Sequence, residues 1–447
     1  MSDVARDPLE ISDYEPNGYI ALTDDQRWPG LTPSARARLD DALTGRFAPP
    51  WNHRTGHRLD ETAVGRARHP LPTAGWLDEH LATVRALPAY RRVPGPLDRL
   101  EDFPLVTRED LVADIGGFVP RGADLSSMVH GTSSGATGHA LWIPDHVEEV
   151  ARTFWLVVEL VRAQGVDWQP DEQRMALAYV VNQRQAYTYA SSVPGFGGAT
   201  MARVNLGMEG WSGRDDYLER ADPQVISGSP VSLAALLDPE LRRRLHPLAI
   251  VSGATHLSAT LRDDLSAAFG CPVLDIYGLH ETRPIGVSVD GGPFVVLDRR
   301  VHVEVLDRSG EPVVPGERGE IVVTAGENPL LPLARYRTGD FGRLVEVDGR
   351  AAIADLEGRE DTLFRSPEGR PVPTVDLTQQ LQAAGARAWS VVQEADGKVA
   401  VRMVGGSAAD IEERFAILLG PTTVERLARI EELGEGKPRR YRSFAQG

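Results

Sequence analysis

The stretch from Leu248 to Gly278 constrains the fold most. An apolar run, Leu248 to Ser252, ends in Gly253; a helical pattern from Ser258 to Phe269 stops at Gly270; a second apolar run, Val273 to Tyr277, ends in Gly278. Two short apolar strands joined by a helix cannot pair as a hairpin, so they predict a right-handed βαβ crossover in a parallel sheet covered on both faces. Met175 to Val181, apolar without alternation, fits another strand of such a sheet. The expected class is therefore α/β. Ligands on open α/β sheets bind at the carboxyl ends of the strands, so Gly253 and Gly278 mark one rim of a site, and Glu281 is placed to reach into it.

A second stretch, His130 to His139, packs three glycines and four hydroxyl residues into ten positions. Glycine lets backbone approach a ligand closely, and Thr132, Ser133, Ser134 and Thr137 offer hydroxyl donors that phosphate oxygens accept. No lysine follows the glycines, which excludes a Walker A loop. Taken alone, the stretch reads equally well as an ordinary Gly/Ser turn.

At 447 residues the chain is long enough for two or more domains. Its net charge of −16, with no basic run interleaved with aromatics, argues against nucleic acid or an anionic membrane surface as partner. The apolar run Thr153 to Val161 is interrupted by Glu159 and falls short of a membrane span. The first residues lack an apolar signal core, so a cytoplasmic location is expected. Cys271 is the only cysteine, which excludes intramolecular disulfides and cysteine-based zinc sites. Only Lys398 and Lys437 are lysines among 48 basic residues; arginine holds nearly every other basic position.

Elsewhere, helical patterns at Ser34–Leu43 and Trp76–Leu87 suggest no site. Thr107 with Asp110 three residues on predicts a capped helix start. A short strand at Ala140–Ile143 leads to Asp145 and Glu148, read as a cap and its partner, and to a helix whose Val150, Phe154, Val157, Val158 and Val161 share a face; that helix reads as scaffold. Tyr187, Tyr189 and Phe196 lie among Gly195, Gly197 and Gly198, as either a flat slot for a planar ligand or a packed aromatic loop. Alternation at Val301, Val303 and Val305 and the strand Ile321–Thr324 predict a β-rich layer over 294–325. Arg335–Asp340 and Gly358–Asp361 read as charged turns bordering strands. Trp389–Glu394 and Val399–Val404 predict a hairpin, Ala409–Leu418 a helix, and Gly434–Arg440 a basic loop.

Five of these stretches together resemble the adenylate-forming superfamily of acyl-CoA synthetases, and within it the phenylacetate-CoA ligase branch. Ser133-Ser134-Gly135-Ala136-Thr137-Gly138 resembles that family's phosphate loop. Asp275-Ile276-Tyr277-Gly278-Leu279-His280-Glu281 is similar to its Asp-Ile-Tyr-Gly-Leu-Ser-Glu segment, and Tyr336-Arg337-Thr338-Gly339-Asp340 to its Tyr-Arg-Thr-Gly-Asp motif. Gly358-Arg359-Glu360-Asp361 matches the hinge motif, and Gly436-Lys437 the C-terminal Gly-Lys. The resemblance spans residues 100 to 440, with the motifs in family order.

It implies a large multi-sheet N-terminal domain with βαβ units (1–359) and a small mobile α+β C-terminal domain (360–447). It also implies roles. Ser133, Ser134, Gly135, Thr137, Gly138 and His139 would cradle the phosphates of ATP; Tyr277 would stack on adenine, with Gly278 and His280 beside it. Asp340 would bind the ribose hydroxyls, Arg359 ribose or phosphate, and Glu281 Mg²⁺. Gly253 and Ala254 would line the nucleotide and acyl pocket. Lys437 would bridge the carboxylate and the α-phosphate, Asp361 would be the hinge, and Tyr187, Phe196 and Gly197 would line the acid pocket. His139, Ala136 and His280 depart from the family pattern. The implied reaction is ATP-dependent activation of an aromatic or similar carboxylic acid, with coenzyme A as acceptor. Transfer to an amine or activation of nitrite, and a degenerate binder without turnover, are the alternatives. The oligomeric state is left open, a homodimer included.

Overall fold

The computed structural model describes residues 22–50, 52–133, 141–170, 173–182, 187–196, 198–254, 257, 259–357, 364–372, 374–428, 430–433 and 441–444. Its strands, in chain order up to residue 357, are β1 (His53–Arg54), β2 (Met128–Ser133), β3 (Leu141–His146), β4 (Leu177–Val181), β5 (Tyr189–Ser192), β6 (Thr200–Asn205), β7 (Val225–Gly228) and β8 (Ala249–Gly253). There follow β9 (Val273–Leu279), β10 (Arg283–Val289), β11 (Phe294–Val296), β12 (Val301–Leu306), β13 (Arg318–Ala325), β14 (Leu333–Val347) and β15 (Arg350–Glu357).

Thirteen of them form one sheet in the order β1-β5-β6-β4-β7-β8-β9-β10-β11-β15-β14-β13-β12, and β2 pairs with β3 in a separate hairpin. The run β6-β4-β7-β8-β9 is parallel. The helix Ala259–Phe269 connects β8 to β9, which is the crossover that the spacing predicts. From β9 to β12 the ladder is antiparallel, as the alternating valines require.

One face of the parallel strands packs Ala178, Val180, Ala202, Val204, Ile226 and Ile250 beneath Leu39, Leu43 and Leu233. The opposite face packs Leu177, Val225, Ala249 and Leu274 against Phe154, Trp155, Val158 and Val161 of the helix Val147–Arg162. Burial on both faces is why these strands read as apolar runs. The helix is capped by His146, whose Nδ1 accepts from the Glu148 amide at 3.2 Å, and not by Asp145 as the sequence reading has it. Val150 of its expected apolar stripe is exposed.

The 15-residue β14 contains the Tyr336–Asp340 motif, so that segment is not a turn. Beyond residue 363, Phe364, Leu377, Leu381, Trp389, Val391, Met403, Ile411, Phe415 and Tyr441 close a core of their own around a four-stranded sheet. The hairpin and helix expected there occur as Ala386–Gln393 with Val399–Gly405, and as Ala408–Leu419. Among the described residues no helix is long and apolar enough to cross a membrane.

Candidate active site

Two local distortions bring the motifs together. Between Arg337 and Phe341, β14 carries more residues than the segment of β13 it opposes: Arg337 pairs with Val322 and Phe341 with Glu320. The surplus is a β-bulge, made possible by Gly339 at φ 77°. The Thr338 hydroxyl donates to Ile321 O at 2.7 Å and accepts from the Asp340 amide at 3.0 Å, which fixes the bulge. Asp340 is thereby turned inward, and the Tyr277 hydroxyl donates to its Oδ2 at 2.9 Å. Burial, reinforced by the Asp340 carboxylate, pushes the Tyr277 phenol well above its usual range, so it stays a donor. Tyr277 also meets Phe294 edge-on at 6.0 Å.

The second distortion is the three-residue turn His280–Thr282 between β9 and β10, where Leu279 pairs with Arg283 and Gly278 with Pro284. A Cβ at Gly278 would come within 2.6 Å of Arg283 O, so that position requires glycine. Arg283 takes φ 67°, a conformation that costs a side-chain-bearing residue. The turn buries Glu281 to 5% exposure and pairs it with Arg108, Nη1 to Oε1 at 2.6 Å. Arg108 opens the helix Arg108–Asp114, whose capping box of Thr107 and Asp110 is as expected.

His280 Nε2 lies 3.0 Å from Asp145 Oδ2, and its ring occupies the space a side chain at Gly131 would need. Arg283 Nη2 pairs with Asp145 and, at 2.8 Å, with Glu149 Oε2. Asn328 Nδ2 donates to Pro144 O at 2.9 Å. Burial pushes the Glu149 carboxyl upward, with Arg283 opposing the shift. The helix Val147–Arg162 is therefore more than scaffold, since Glu149 projects from it into this network.

β8 ends at Gly253, and Ala254 follows at φ 72°, an unusual value for alanine that marks the rim of the sheet as constrained. β2 and β3 pair Ser133 with Leu141, and Gly131 of β2 lies against the His280 ring. Ser134, Gly135, Ala136, Thr137, Gly138, His139, Gly197, Arg359, Asp361 and Lys437 lie outside the described residues.

The expected acid-pocket residues part company. Phe196 stacks on Trp155 at 4.3 Å and 22° and packs with Phe154. Tyr187 sits at the other end of the β5–β6 hairpin, stacked on Tyr189 at 6.1 Å. The sequence reading missed Arg108, Asp145, Glu149, Arg283 and Asn328 as site residues. The available signals were an acid two residues beyond the apolar run Leu141–Ile143 and an arginine two residues after the motif's Glu281.

With Tyr277 on Asp340 and Glu281 in the adjoining turn, the order of motifs becomes one place in space. In these motifs and their arrangement the chain is similar to the adenylate-forming superfamily. A family model described as "AMP-binding enzyme" matches residues 187–328. The chain is 27% identical over 311 residues to phenylacetate-coenzyme A ligase of Aromatoleum evansii, covering 62% of this chain and 67% of that one. It is 26% identical over 290 residues to the enzyme of the same name from Escherichia coli (strain K12), covering 60% and 63%. The match thus spans about two thirds of these relatives. A crystal structure of 2-hydroxyisobutyryl-CoA ligase in complex with 2-HIB-AMP and CoA in the thioesterification state shares the fold, with a TM-score of 0.51 at 18% identity over 87% of this chain and 90% of that one.

Proposed function

We propose that the chain is an ATP-dependent, AMP-forming acid ligase that makes an acyl adenylate from an aromatic or similar carboxylic acid and passes it to coenzyme A. The observation that carries this reading is the Tyr277–Asp340 contact at 2.9 Å, which joins two distant motifs at the carboxyl rim of the parallel strands. There Tyr277 and Asp340 would hold the nucleoside, and Gly253 and Ala254 would line the nucleotide and acyl pocket. The loop from Ser133 to His139 would hold phosphates beside His280.

A carboxylate is a weak nucleophile toward the α-phosphate, so the step calls for charge neutralisation and alignment more than for a base. Among the described residues no cluster of three or more His, Cys, Asp or Glu could hold a metal. Glu281 already shares one carboxylate oxygen with Arg108. This fits Mg²⁺ entering with the nucleotide, since that ion is commonly held by one or two carboxylates plus substrate phosphates. Magnesium would there neutralise phosphate charge, and Arg108 would keep Glu281 oriented.

Residues 360–447 would form a mobile unit that turns about Asp361 and carries Lys437 to the nucleotide for the first half-reaction only, while Arg359 would contact ribose or phosphate. The test follows AMP and pyrophosphate release with a panel of aryl and aliphatic acids, with and without coenzyme A. Aryl acids should exchange pyrophosphate into ATP, and coenzyme A should accelerate AMP release. Lys437→Ala should slow adenylation by about 10²–10³-fold, leaving transfer from a supplied acyl adenylate nearly intact. ATP binding without exchange for any acid would replace this reading with the degenerate binder, and AMP release driven by amines or nitrite alone would change the acceptor.

A further inference from the structure

One polar row of the sheet takes no part in the site described above. Cross-strand register aligns His53 of β1, Tyr189 of β5, Arg203 of β6, Tyr179 of β4 and Ser227 of β7. Side chains alternate between faces, so this row shares a face with Leu177, Val225 and Ala249, which lie one step toward the amino ends and are covered by the helix Val147–Arg162. The cover stops there. All five row residues are only partly buried, and Tyr179 is 36% exposed.

Arg203 lies over Tyr187 at 4.0 Å and faces Tyr179 at 6.0 Å, and its Nη1 donates to Tyr187 O at 2.8 Å. Among the described residues no carboxylate pairs with it, although Arg108, Arg283, Arg299, Arg335 and Arg337 all pair with acids. The guanidinium is therefore held in place by π faces and one carbonyl, with donors left over. A planar fork with unused donors matches a carboxylate, sulfonate or phosphate.

We propose that Arg203, framed by Tyr187 and Tyr179, recognises a second anionic group at the far end of an aromatic acid substrate. This rests on the ligase reading and deepens it by naming the substrate class. The strand of Arg203 is three positions from that of Gly253, roughly 14 Å across the sheet. The acid must span that distance while its reacting carboxylate sits at the Gly253–Ala254 rim, which calls for an extended aromatic frame resting on Tyr179.

The test compares biphenyl-4,4′-dicarboxylic acid with biphenyl-4-carboxylic acid in pyrophosphate exchange and in calorimetric binding, for the wild type, Arg203→Gln, Arg203→Lys and Tyr187→Leu. The wild type should prefer the diacid by roughly tenfold or more in kcat/KM. Arg203→Gln should abolish that preference through KM while leaving the monoacid and the thermal midpoint unchanged; Arg203→Lys should restore part of it. Equal losses for both acids, or a loss confined to coenzyme A affinity, would overturn the assignment. If neither acid supports exchange, calorimetry decides: diacid binding that Arg203→Gln removes upholds the anion site while the ligase reading fails. No diacid binding to the wild type refutes the site.

Discussion

Arg283 and Arg203 stand on the same sheet and are handled in opposite ways. Arg283 is 14% exposed and lies between the carboxylates of Asp145 and Glu149. Arg203 lies between two tyrosine rings and pairs with no acid among the described residues. A guanidinium locked to buried carboxylates serves the scaffold, because removing it strands charge in a low-dielectric interior. One held by ring faces keeps its donors for something else. What an arginine does in this protein is thus set by its neighbours, and in a chain with 48 basic residues and two lysines, composition cannot sort the two kinds.

The largest expected effect breaks the first kind. Arg283→Met should cost about 3–5 kcal/mol of stability by leaving Asp145 and Glu149 unpaired, measured by chemical denaturation. Glu281→Gln should also cost stability by weakening the buried pair with Arg108, so any fall in its activity must be read against a parallel stability curve. If Arg283→Met unfolds at the wild-type denaturant midpoint, the distinction between the two arginines fails.

A buried acid extends the contrast. Asp376 is 9% exposed, its Oδ1 has no hydrogen-bond partner among the described residues, and burial raises its carboxyl from 3.8 to about 7. With the folded value above the unfolded one, its contribution to stability is present below pH 3.8 and is lost as pH rises toward 7. Asp376→Asn should therefore gain about 4 kcal/mol at pH 8 and less than about 1 kcal/mol at pH 4, read from thermal midpoints across that range. A gain independent of pH would show that the carboxyl titrates normally.

Aromatic pairs sharpen the comparison on a smaller scale. Phe196 stacks on Trp155 inside a core, whereas Tyr187 stacks on Tyr189 in the half-open row. Phe196→Ala should cost about 2 kcal/mol, less than a fully buried phenylalanine, with the ranking of acid substrates unchanged. A changed ranking would return Phe196 to the acid pocket. Smallest of all, Arg203→Gln should shift stability by less than about 0.5 kcal/mol; a larger loss would make Arg203 part of the scaffold too.

Much of the fold was legible in the sequence. The crossover from Leu248 to Gly278, the capped helix at Thr107 and the C-terminal hairpin are local patterns, and periodicity reports those well. The site was legible only in part. Tyr277, Asp340 and Glu281 stood out through their motifs, but that Asp340 reaches Tyr277 depends on a bulge in β14, and the surplus residues of a bulge look like a turn in one dimension. Asp145 reads in sequence as a helix cap, and Glu149 goes unremarked on a helix read as scaffold, because capping and burial leave the same local signature as an ion-pair network. Tyr187 and Phe196, nine residues apart, seemed one feature. The β5–β6 hairpin carries them to opposite ends of the strands.

The contact between Gly131 and the His280 ring has a consequence for anyone who would alter this protein. Because the imidazole fills the volume a side chain at 131 would take, the two positions behave as a single combinatorial unit. A library that varies 280 alone can trim the ring and open a void beside Gly131, and one that varies 131 alone meets a wall. Larger residues at 131 become accessible only when 280 shrinks in the same clone, so productive variants should emerge as linked pairs, and screens that walk one site at a time should pass over them.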